Sequence, residues 1–97
     1  MLSQRVQEFI HNIGIMARAH SENGISCLLV VKDKLKELVS ELKNANIEGI
    51  SFAIVDRKTG LEEIKPPALL VVTEEDYASD ESFAESIRAK AAYFLNI

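Results

Sequence analysis

With 47% hydrophobic and 27% charged residues, four Gly and two Pro in 97 positions, the chain has neither a disordered nor a fibrous composition, and it is long enough for one self-supporting globular domain spanning residues 1–97. Its net charge of -4 and pI of about 5.1 repel a phosphate backbone, so nucleic acid is not an expected partner. A single cysteine forbids an internal disulfide, no basic leader with an apolar run opens the sequence, and nothing approaches the ~20 apolar residues of a membrane span; a cytoplasmic protein with no membrane contact is expected.

From Ser3, a cap-forming residue, Val6, Phe9, Ile10, Ile13 and Ala17 follow helical spacing, and Asn23-Gly24 stops the helix that they predict over 3–20. Residues 25–31 form a β-branched, nearly continuous apolar run that predicts a central strand buried on both faces. Cys27 lies within it, where a buried and inert thiol is expected.

Asp33 is positioned to cap a second helix over 33–45, with Leu35, Leu38, Val39, Leu42 and Ala45 as its buried stripe. Residues 50–55 again read as a strand. The acid-first, Gly-last segment 56–60 predicts a tight turn into a short antiparallel partner over 61–65. Pro66-Pro67 ends that strand, Ala68-Leu69-Leu70-Val71-Val72 predicts a buried one, and a last helix is expected from about 80 to 95, with Phe83, Ile87, Ala91 and Phe94 on one face. Segments 23–31 and 48–56 share Gly, Ile, Ser and one Val without gaps, an echo that a common mode of strand entry explains more simply than a duplicated unit.

These elements predict an α/β or α+β domain: a mixed sheet of three to four strands containing a βαβ unit, flanked by about three helices. The βαβ unit makes the two echoed strands parallel, so their carboxyl ends share the edge where open α/β sheets usually bind ligands. If 68–72 runs the same way, Lys32, Asp33 and Asp56 meet there and form a ligand-binding rim. Asp33, Asp56, Glu74, Glu75 and Asp76 would then offer oxygen ligands to Mg²⁺ or Ca²⁺, with Lys32 near an anion.

The segment 73–82 holds five carboxylates and no basic residue, and it has a second reading. Thr73 with Asp76, and Ser82 with Glu85, have the spacing of helix caps, and first-turn carboxylates favour the helix dipole. His11 and His20, nine residues apart, fall on opposite faces of one helix and cannot share an ion. Neither kind of Gly-rich phosphate loop occurs, and Ser26 and Ser51 sit inside predicted strands rather than on a nucleophile elbow.

Asp56 with Glu63-Ile64-Lys65 resembles the acid and E-x-K spacing of the PD-(D/E)xK nucleases, which implies two Mg²⁺-holding carboxylates and a lysine beside the attacking water. Here the first acid stands at the predicted turn instead of at the start of the preceding strand. The order of elements, with Pro67 before an apolar strand, is similar to a thioredoxin-like fold; without a C-x-x-C pair that likeness implies fold alone.

The function expected is a non-enzymatic protein-interaction or assembly module, with a protein partner or a second copy of the chain, and no cofactor. Its interface would use Ile15 and Met16 on the first helix and Tyr93 and Leu95 on the last, apolar residues left over once each helix fills its core stripe. The alternative is a small-ligand or divalent-cation binding domain using the acidic rim.

Overall fold

A computed structural model describes residues 4–8, 11, 25–45, 51–58, 61, 64, 65 and 68–96. Residues 4–8 are helical (α1), as is His11. There follow β1 (Ile25–Val30), α2 (Lys32–Ala45), β2 (Ser51–Ile54), β3 (Ala68–Thr73), α3 (Glu74–Ser79), α4 (Glu81–Lys90) and β4 (Tyr93–Asn96). The four strands form one sheet in the order β2-β3-β1-β4, and every pairing is parallel.

The two central strands explain this order. β1 and β3, IleSerCysLeuLeuVal and AlaLeuLeuValValThr, are buried along almost their whole length, so both of their faces need cover and both of their edges need partners. Alternation divides the core into two layers. On one face Leu28, Val30, Leu69 and Val71 pack with Val6 of α1 and with Leu38 and Leu42 of α2. On the other, Ile25, Cys27, Leu70 and Val72 pack with Phe83, Ile87 and Ala91 around α4.

Crossover handedness accounts for the distribution of helices. From β1 the chain moves across the sheet past β3 to β2, and from β3 it moves in the opposite direction past β1 to β4. Two crossovers of the same right hand that travel in opposite directions must use opposite faces. α2 and α4 accordingly belong to different core layers.

The α/β architecture and the central, doubly buried β1 agree with the sequence reading, and two details differ. All described strand pairings are parallel rather than mixed, and of the antiparallel partner expected over 61–65 the described residues Leu61, Ile64 and Lys65 lie outside any strand. The Ile64 N–H instead donates to the Leu61 carbonyl in a turn at 3.2 Å. β2 already pairs with β3 in parallel, and a hairpin cannot join parallel neighbours, so the connection must cross over. Leu61 and Ile64 therefore pack on the α4 face.

The helix expected to reach 95 ends at Lys90, where Ala91 turns extended (φ -96, ψ 132). The Ala92 N–H then donates to the Ile25 carbonyl at 2.9 Å, and Tyr93-Phe94-Leu95 continues along β1. Helical periodicity there competes with three large residues, two of them aromatic, that suit a strand, and the open edge of β1 decides the outcome. Phe94, expected on a buried helical face, is instead 38% exposed.

Ser26 is fully buried on the α2 side of β1, and its hydroxyl has no hydrogen-bond partner. An unsatisfied buried hydroxyl costs about 1–3 kcal/mol. Ser26→Ala is expected to raise stability by about 1 kcal/mol, read as a higher urea midpoint with an unchanged m-value. A lower midpoint would mean that the hydroxyl is hydrogen-bonded in solution.

Candidate functional site

Because β1, β2 and β3 are parallel, their carboxyl ends share one edge, as the rim reading required of strand 68–72. β1 and β3 are neighbours whose following helices leave to opposite faces, and such a divergence opens the crevice in which doubly wound sheets bind ligands. Here a side chain of the protein occupies it. The Lys32 N–H, first in α2, donates to both carboxylate oxygens of Glu75, at 3.1 and 3.2 Å. The cap of α2 thus comes from 43 residues away, whereas Asp33 lies within the first turn. A carboxylate there satisfies an orphan N–H and meets the positive end of the helix dipole.

Asp56, Asp76, Asp80 and Glu81 are also engaged. Asp56 follows β2 and accepts the Lys58 N–H at 2.8 Å, closing an Asx turn. Arg57 reaches across to Asp76, Nε to Oδ1 at 3.7 Å. Thr73 caps α3 by accepting the Asp76 N–H at 3.2 Å, and Asp80 caps α4 by accepting the Phe83 N–H at 3.1 Å. The Thr73 signal is therefore used, while the second cap is Asp80 and Ser82 lies inside α4, its carbonyl accepting the Ser86 hydroxyl at 3.0 Å. The Tyr77 hydroxyl and Glu81 both accept from the Arg88 guanidinium, and these two hydrogen bonds hold it above its ordinary pKa; the guanidinium lies 5.8 Å from the Tyr77 ring centroid.

Thus the five acids proposed as cation ligands are spread around the rim. Among the described residues no three His, Cys, Asp or Glu side chains gather as a metal site. What the rim does form is a shallow cleft of about 310 Å³ beyond β2 and β3, lined by Asp56, Arg57, Lys58, Asp76 and Asp80. Two of the predicted acids reach it, and Lys32, Asp33, Glu74 and Glu75 do not line it. Arg57, Lys58 and Asp80 were not anticipated there; adjacency to Asp56 was the available signal for the first two.

Of the expected interface residues, Ile15 and Met16 lie outside the described residues. Tyr93 and Leu95 stand on β4, not on a helix, both half-buried, and Leu95 packs against the α2-side core. Phe94 between them faces the other way and, with Ile54 of β2, is one of the two exposed large hydrophobic side chains of the described chain. For the nuclease-like pattern, Glu63 lies outside the described residues, and Lys65 is exposed and outside any strand.

No family model, no curated protein and no solved structure matches this chain. The geometry defines a compact α/β domain with a four-stranded parallel sheet, in which no described helix is long and apolar enough to cross a membrane.

Two outcomes follow from the caps and the cysteine. Asp80→Ala is expected to cost about 1 kcal/mol in chemical unfolding and Asp80→Asn much less, because asparagine also caps; equal losses would assign Asp80 another role. Burial pushes the Cys27 thiol from 9.0 up to about 12, so it should resist a disulfide reagent at pH 8 until the chain unfolds. The buried, neutral thiol contributes stability fully below pH 9 and loses it between about pH 9 and 12, where the unfolded thiol ionises first.

Proposed function

We propose that the protein is a non-enzymatic interaction module, that its contact surface is the β4 edge, and that its partner is a second copy of the chain. The observation that carries this reading is Phe94, a large aromatic side chain 38% exposed on an outer strand whose sequence, Tyr-Phe-Leu-Asn, holds no charge. Charges on an edge are the common guard against strand addition, and β4 has none. The β1–β3 crevice gives further support, since Glu75 already occupies the helix end that an anionic ligand would use.

A two-fold axis normal to the sheet pairs β4 with itself antiparallel and closes the assembly at two copies. Side chains opposite one another must share a face. The register centred on Phe94 sets it against its own copy and Tyr93 against the copy's Leu95, so aromatic and aliphatic pairs form and no like charges meet. Four-residue edges bury less than the ~1,200 Å² of a standard interface. The dimer is therefore weak, and an acidic domain with one buried thiol is suited to a reducing, cytoplasmic setting.

Sedimentation equilibrium from micromolar to millimolar protein should give a mass that rises toward the dimer. Phe94→Lys, which opposes two ammonium groups at the axis, should hold the monomer mass with unfolding unchanged, while Ile54→Lys on the opposite edge should still dimerise. Monomer mass throughout for the unaltered chain overturns the proposal.

The cleft beyond β2 and β3 favours a second reading, a small-ligand binding domain, with Arg57 and Lys58 placed for an anionic group and Asp56, Asp76 and Asp80 as hydrogen-bond acceptors for the rest of the ligand. On this reading, titrating inorganic phosphate into ¹⁵N-labelled protein gives saturable amide shifts at residues 56–58, 76 and 80 that Arg57→Ala abolishes. Weak, uniform drift across all amides discards it.

A further inference from the structure

We draw no further inference here: the strongest candidate, the cleft beyond the carboxyl ends of β2 and β3 lined by Asp56, Arg57, Lys58, Asp76 and Asp80, belongs to the second reading already given, and no buried, unpartnered polar side chain among the described residues points into it to specify another ligand.

Discussion

The pairing of β1 with β3 is the interaction on which everything else depends. Six residue pairs run from Ile25 opposite Ala68 to Val30 opposite Thr73, and nearly all of these side chains are inaccessible to water. Each buried aliphatic side chain contributes roughly 1.5–3 kcal/mol relative to exposure, so the ladder forms the common floor of both core layers. Helices on both faces, β2 and β4 on the flanks and a crossover in each direction satisfy the requirements of these two strands.

The character of the rim follows from the same pairing. Parallel strands gather their carboxyl ends, and the chain leaving each end is polar, so opposite charges collect along one edge. Their engagement is mainly with backbone: Glu75 takes the first N–H of α2, and Thr73, Asp80 and Asp56 take N–H groups within four residues of themselves. Within segment 73–82, Glu75 thus serves α2 and Asp80 serves α4. Asp76, drawn toward Arg57, is the member of the segment that extends its reach to the neighbouring loop.

The interior was more legible in the sequence than the periphery. Residues 25–31 and 68–72 could be read as buried strands because doubly covered strands lack polar alternation, and Leu38 and Leu42 kept helical spacing. The hairpin over 61–65 was misread because turn chemistry at 56–60 is local, whereas the pairing that overrides it involves β3. The end of α4 was missed for a similar reason: Phe94 continues the helical spacing of Ile87 and Ala91, and the edge of β1 that captures it lies far away in sequence. At the rim, the parallel direction of the strands could be reasoned toward, but the choice of Glu75 over Asp33 as the cap of α2 depends on tertiary geometry. The Gly-Ile-Ser echo is instructive too, since Ile25 and Ser51 both stand opposite Ala68. Ser26 and Ser51 are therefore one step out of phase and face opposite sides of the sheet.

The spacing of partners along the chain gives the sheet an order of assembly. Ile25 meets Ala68 only 43 residues later, and Ser26 meets Tyr93 67 residues later, while Ser51 finds the same Ala68 after 17. Loop closure is least costly for the last of these, so β2 and β3 are the pair favoured to meet first. On the ribosome β1 emerges before either of its neighbours and must wait with one apolar face uncovered and the other at most partly shielded by α2. The strand that becomes the centre of the fold is therefore the one most exposed to wrong partners during synthesis, and an aggregation hazard arises from topology rather than from any weakness of the finished domain.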